Sequence, residues 1–285
     1  MMARIGVLLD NIKFEHTIFA LPFAYLGMLL AARGLPTLSQ FIWITVAMAA
    51  ARTLAMSMNR LIDAEIDARN PRTKGRPIPS GKLKRHEVLL FSILSLAVLT
   101  FAAAQLNWLC VVLLPLAVVI LVGYSYTKRF TWLSHAVLGL ADGGAAVGGW
   151  IAVTGQLAWE PFILGLAVAT WIGVFDLIYA CQDAEFDRRE GLHSVPQRFG
   201  IPAALAAAKV AHTATILLLI LAGVMMSLSW PYWIGVVIAA GLLAYENSIV
   251  KPDDLSRLDV AFFNVNGYIA VVVFVFTAAC LWVGT

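Results

Sequence analysis

Nine stretches of 17–23 residues carry almost no charge, near 15–33, 41–58, 87–105, 108–124, 133–155, 161–181, 202–223, 230–250 and 261–283. A helix needs roughly 20 such residues to cross a bilayer, and helices satisfy their own backbone polar groups in lipid. The expectation is therefore an all-α, polytopic membrane protein of about nine transmembrane helices. The borders between spans 3 and 4 and between spans 8 and 9 are soft enough to allow eight or ten. Composition agrees: 61% of residues are hydrophobic and 13% charged, about half the charge of a soluble domain. The first run is too long for a cleaved signal and lacks a small-residue cleavage site, so it is expected to stay as a span. No linker or low-complexity segment divides residues 1–285, which points to one membrane domain.

Orientation follows from the cations. Arg33 is the one Lys or Arg in an odd-to-even loop, and Arg52 lies inside span 2. Nearly all the others sit at the N-terminus or in loops 2–3, 4–5, 6–7 and 8–9. The positive-inside rule then puts the N-terminus and these loops in the cytoplasm of a plasma (inner) membrane protein. The net charge of +3 reflects loops facing anionic headgroups, not nucleic acid. Cys110, Cys181 and Cys280 lie within or beside spans without metal spacing, and read as small buried side chains.

Against this background two polar clusters stand out. Span 2 ends in "NRLIDAEIDARNPRTKGRP", with Asn59, Asp63 and Asp67 four residues apart. Span 6 ends in "DLIYACQDAEFDRREG", with Asp176, Tyr179, Asp183 and Asp187 at helical spacing. Four residues advance a helix by about 400°, so each set forms a ladder along one face. Both spans are even-numbered and run toward the same membrane face, as in a parallel internal repeat. Asn70-Pro71 should end the first helix and Gly191 the second.

Four carboxylates converging at one interface repel one another, and a divalent cation relieves that. Carboxylate and amide oxygens suit Mg²⁺, which binds through one or two carboxylates plus phosphate oxygens. The cations beside the ladders (Arg69, Arg72, Lys74, Arg76, Arg188 and Arg189) would complete a diphosphate site, with Lys128 and Arg129 of "YTKRFT" in loop 4–5. Taken singly, these cations read equally well as ordinary loop charges.

The two segments "NRLIDAEIDARNPRTKGRP" and "YACQDAEFDRREGLHS", with "YSYTKRFT" between them, resemble the signature segments of the UbiA-type intramembrane prenyltransferases. The resemblance covers most of the chain and is nearest to the 4-hydroxybenzoate polyprenyltransferases of quinone biosynthesis. It implies a UbiA-like bundle and Mg²⁺-dependent transfer of a polyprenyl group from polyprenyl diphosphate to an aromatic acid acceptor, ortho to its phenol. In the family pattern Asn59, Asp63 and Asp67 hold one ion, and Asp183 and Asp187 the second. An intramembrane pocket suits this chemistry, because it shields an allylic cation from water and admits a long apolar tail. "IKFEHTIFALPFA", with His16, departs from the usual opening of the hydroxybenzoate enzymes. It resembles a bacterial subgroup linked to futalosine-route menaquinone synthesis, whose acceptor is a dihydroxynaphthoate.

Ionisable residues at membrane depth are functional candidates by default. Arg52, two turns before Asn59, matches an Arg of the hydroxybenzoate enzymes and is expected to hold the acceptor carboxylate. Asp176 is expected either to orient the phenol and take its proton or to pair with Arg52. Asp142, in the Gly-rich "GLADGGAAVGGW", has no assigned role, and the glycines suggest close helix contact or substrate passage. Glu246 reads as a marker of the cytoplasmic interface. No His pairing suggests zinc. A CDP-alcohol phosphotransferase would need a D-x2-D-G-x2-A-R run, and a soluble prenyl synthase D-D-x2-D; neither is present. A secondary transporter would place its carboxylates mid-span rather than at one interface.

Overall fold

Asn107 decides the softest border in the sequence. Its backbone is extended (φ −162°, ψ 169°), its side chain accepts from the Cys110 amide, and the chain restarts as a new helix at Trp108. Its Nδ2 donates to the Ile151 and Ala152 carbonyls at 2.8 and 3.2 Å. One residue thus separates two spans and fastens them to a third.

The computed structural model describes residues 2–12 and 15–283, leaving aside the side chains of 2–5, 15–20 and 262; the His16 side chain therefore lies outside the described residues. The helices are α1 (Met2–Asn11), α2 (Glu15–Ala32), α3 (Leu38–Ile62), α4 (Ala64–Arg69), α5 (Arg85–Leu106), α6 (Trp108–Thr127) and α7 (Ser134–Thr154). They continue with α8 (Trp159–Ala180), α9 (Ala184–Glu190), α10 (Val195–Phe199), α11 (Ile201–Met225), α12 (Trp230–Ile249) and α13 (Asn266–Val283). Eight of these, counting α8 together with its α9 extension, are long and apolar enough to cross a membrane, and α2 adds a shorter apolar helix. The expected spans are thus present to within a few residues. The ninth runs Phe263–Val283, and its first turn belongs to a π-helix over Val260–Val265 that precedes α13.

α8 is the central helix: 61% of its most apolar window is buried, against 6% for α6, which faces outward. α7 packs against α8 and α2 through glycine. A Cβ at Gly139 would collide with the Ala169 carbonyl, and one at Gly149 with that of Ala24, so these backbones approach as only glycine permits. Close helix contact accounts for these glycines. Phe23, Leu164, Trp171, Tyr232 and Ile269 lie in the main core, and Phe23 meets Trp171 edge-on at 5.3 Å. The three cysteines are free; Cys181 and Cys280 are buried and Cys110 half-buried.

The repeat is visible as geometry. α3 breaks at Asp63 (φ −92°, ψ 2°) and restarts as α4. α8 passes through a 3₁₀ turn, breaks at Asp183 (φ −99°, ψ 1°) and restarts as α9. The ladders are therefore not continuous helices as expected; each bends at its central aspartate. Asn70 ends α4, and Gly191, with φ 69°, ends α9 as expected.

Candidate functional site

The two motif segments meet. Asn70 Nδ2 donates to Asp183 at 3.2 Å, Arg72 forms a two-pronged ion pair with the same carboxylate, and Arg69 pairs with Glu190 at 2.7 Å. Each contact joins residues more than 110 positions apart. Between the segments lies a cavity of about 770 Å³.

Eleven of the residues singled out in the sequence line this cavity: Arg52, Asn59, Asp63, Arg72, Arg76, Lys128, Asp142, Asp176, Tyr179, Asp183 and Asp187. Asp63 is 2% exposed and pairs with Lys128 Nζ at 2.7 Å and Arg129 at 3.5 Å, while Asn59 Nδ2 donates to it at 3.2 Å. Ser125 accepts the other amide hydrogen of Asn59, leaving the Asn59 oxygen free of that network. Asp187 accepts from Ser194 Oγ at 2.8 Å. Burial would lower the basicity of Arg72. Its hydrogen bond to Asp183 and that carboxylate's charge outweigh this and hold the guanidinium above its ordinary value. Arg72 also lies over the Tyr179 ring, 5.4 Å from its centre.

Six expected residues do not line the cavity: Asp67, Lys74, Arg129, Arg69, Arg188 and Arg189. Asp67 gives both oxygens to Arg76 Nη1, each at 2.7 Å. Lys74 is exposed. Arg129 sits outside, donating to the Ile62 carbonyl and lying over Tyr126. Of the flanking cations, Arg69 is spent on Glu190, and Arg189 pairs with Glu185 on its own helix.

At the membrane-depth end, Asp176 pairs with His135 rather than Arg52, Nδ1 to Oδ2 at 2.7 Å. The His135 Nε2 on the other side of the ring is buried and has no hydrogen-bond partner. Gly173 lets His135 approach: a Cβ there would stand 2.9 Å from the His135 carbonyl. Arg52 keeps a buried Nε without a hydrogen-bond partner. Asp142 lines the same cavity, within the electrostatic reach of Arg52 and Asp176.

Glu246 corrects an expectation. It is fully buried, not an interface marker, and accepts from Asn266 Nδ2 at 3.2 Å. Asn266 in turn accepts from Trp171 Nε1 at 2.6 Å and ties back to the Ala261 carbonyl of the π-helix. Arg60, His135, His193 and Ser194 also line the cavity and were not singled out. One signal was legible: Ser194-Val195-Pro196 is a helix start, and Ser194 Oγ caps α10.

The donors of Asn59, Asp63, Asp183 and Asp187 are all oxygen. Among the described residues, no three His, Cys, Asp or Glu are grouped closely enough to hold a metal ion. The set suits a hard ion that completes its shell with water and phosphate oxygens.

The solved structures and curated relatives speak to the same architecture. A UbiA homologue from Aeropyrum pernix K1, solved in its apo form, superposes with a TM-score of 0.85 at 31% identity, covering 92% of this chain and 96% of that one. A UbiA homologue from Archaeoglobus fulgidus bound to DMAPP and Mg²⁺ shares the fold, with a TM-score of 0.74 at 20% identity over 97% and 99% of the two chains. A 4-hydroxybenzoate octaprenyltransferase from Cupriavidus pinatubonensis is 32% identical over 250 residues, 87% of each protein. One from Vibrio campbellii is 28% identical over 257 residues, covering 90% of this chain and 89% of the relative. Residues 20–268 match the family description itself, and the chain belongs to the UbiA prenyltransferase family.

Proposed function

We propose that this chain transfers a polyprenyl group from polyprenyl diphosphate to an aromatic acid of the 4-hydroxybenzoate type, forming a carbon–carbon bond ortho to the phenol, in ubiquinone biosynthesis. The observation that carries this is the meeting of two aspartate motifs, 120 positions apart from Asp63 to Asp183, on one cavity that Arg52, with its buried and unpartnered Nε, also lines. The names of the curated relatives and the ligands of the Archaeoglobus structures point the same way.

Asn59, Asp63, Asp183 and Asp187 are the residues to hold Mg²⁺, two ions in this reading. Bound there, Mg²⁺ supplies charge neutralisation for the departing diphosphate. Arg72, Arg76 and Lys128 bind its oxygens and stabilise the negative charge as the allylic C–O bond breaks, with its electron pair leaving on oxygen. Asp67 is a positioning residue, fixing Arg76. The apolar walls exclude water from the allylic cation, and the Tyr179 ring lines the same space. Arg52 receives the acceptor carboxylate in a bidentate contact. The ring carbon attacks, and its hydrogen leaves as a proton to the Asp176–His135 pair. Lys74 and Arg129 are assigned no direct contact with substrate.

The chain acts as one domain in the plasma membrane, with the motif end cytoplasmic. Cysteines replacing Lys74 and Arg189 in a cysteine-free background should react with impermeant reagents from that side only. A bicyclic dihydroxynaphthoate is the second acceptor reading, favoured by the "IKFEHTIFALPFA" opening. Proteoliposomes given labelled prenyl diphosphate and a panel of phenolic acids test both. A prenylated 4-hydroxybenzoate supports the first and a prenylated naphthoate the second. Label taken up without any prenylated product would contradict enzymatic transfer.

A further inference from the structure

Four of the described cations around the motif aspartates already hold a carboxylate. Arg72, Arg76, Lys128 and Arg129 each pair with an aspartate. Arg60, one residue after Asn59, does not. It is 8% exposed and lines the cavity, and its hydrogen bond runs from Nε to the backbone carbonyl of Asn11 at 3.1 Å. The charges of Asp67 and Asp63 reach it without pairing, and its hydrogen-bond partner is a neutral carbonyl, so a further anion would stabilise this buried guanidinium. Asn11 is the last residue of α1 and 1% exposed. It also lines the cavity, and neither its Nδ2 nor its Oδ1 has a hydrogen-bond partner. Buried, unsatisfied amide atoms are destabilising unless a ligand or water satisfies them.

The unpartnered Asn11 amide and the Arg60 guanidinium are joined in one construction. The Asn11 carbonyl accepts from Arg60 Nε, and both side chains line the same cavity. Ile12, 2% exposed, seats the end of α1, Leu9 beside it is exposed, and the exposed Asp10 carboxylate also lines the cavity at its outer edge. The cavity wall here continues through Thr73, Gly75 and Arg76, the loop that follows the first motif. We propose that Asn11 and Arg60 form an anion-binding corner of the cavity that contacts the diphosphate of the prenyl substrate. Arg60 Nη and Asn11 Nδ2 donate to phosphate oxygens, and Asn11 Oδ1 accepts from water around the bound anion. α1 is thereby part of the substrate site. The inference rests on the prenyl-diphosphate reading above and adds residues to it.

The test is calorimetric titration of the full chain in nanodiscs with inorganic pyrophosphate at saturating Mg²⁺, and separately with 4-hydroxybenzoate. Asn11→Ala should weaken pyrophosphate about tenfold, and Asn11→Asp, which sets a carboxylate against the anion, about thirtyfold or more. Arg60→Lys keeps the charge but loses the fork, and should cost about tenfold. Binding of 4-hydroxybenzoate should stay within twofold in all three. Thermal unfolding measured in parallel identifies any variant that fails to fold, and Asn11→Ala, the mildest change, then decides. Unchanged pyrophosphate affinity in folded Asn11→Ala would overturn the corner, as would a loss confined to 4-hydroxybenzoate. A wild type that binds no pyrophosphate would overturn the proposed function as well, and so separates the two failures.

Discussion

The two motif arms share the pattern Asp-Ala-Glu-x-Asp-x-Arg, at Asp63–Arg69 and Asp183–Arg189, yet they sit in different surroundings. In the first arm the Asp63 side chain is 2% exposed and the Asp67 side chain 6%, and cations hold both. In the second, the Asp183 side chain is 17% exposed, and its cation, Arg72, is borrowed from the loop after the first arm. The second arm's own Arg189 faces solvent. The same residues at the same spacing thus make a rigid, neutralised anchor on one side and a more open edge on the other. Local pattern sets where the carboxylates point; the distribution of cations sets how much each can give to a ligand.

Removing an aspartate tests this difference most severely. Asp63→Ala and Asp183→Ala should each lower turnover about a thousandfold or more, since each removes a proposed metal ligand. Their stabilities should differ. Asp63→Ala strands two cations and costs about 1–2 kcal/mol, moderated because Lys128 and Arg129 retain access to water. Asp183→Ala should shift thermal unfolding less, and equal shifts would erase the distinction between anchor and edge.

Arg72 bridges the arms, so Arg72→Ala should raise the KM for prenyl diphosphate about thirtyfold to a hundredfold. An unchanged KM would show that the arms do not share a ligand. Smaller effects probe the periphery. Arg52→Lys should raise the acceptor KM about tenfold and leave that of the diphosphate nearly unchanged; the reverse result would move Arg52 into the phosphate clamp. Asp67→Asn weakens the bidentate grip on Arg76 and should cost about threefold to tenfold in kcat/KM. Arg189→Ala should stay within about twofold, because an exposed pair contributes little.

Much of this was legible in the sequence. Hydropathy placed the nine apolar helices, and the i, i+4 spacing with Asn70-Pro71 and Gly191 placed both arms. The missing parts are contacts across the chain. His135 meets Asp176 over 41 positions and Arg60 meets Asn11 over 49, and no local pattern announces either pairing. Glu246 misled because a carboxylate near a helix end reads as solvated, whereas Asn266 and a π-helix turn it into a buried bridge to Trp171. The bends at Asp63 and Asp183 were also hidden, since the i, i+4 hydrogen bonds Asp63 N–Asn59 O and Asp67 N–Asp63 O persist through the first of them.

The central claim is that both arms serve one metal-dependent prenyl transfer. The most direct measurement is product formation by the wild-type chain in liposomes, given labelled prenyl diphosphate and 4-hydroxybenzoate, first with EDTA and then with Mg²⁺ added back. Prenylated acid should be absent under EDTA and return with Mg²⁺, while Asp63→Ala and Asp183→Ala stay silent in both conditions. Product that persists under EDTA, or activity retained by either variant, would contradict the account.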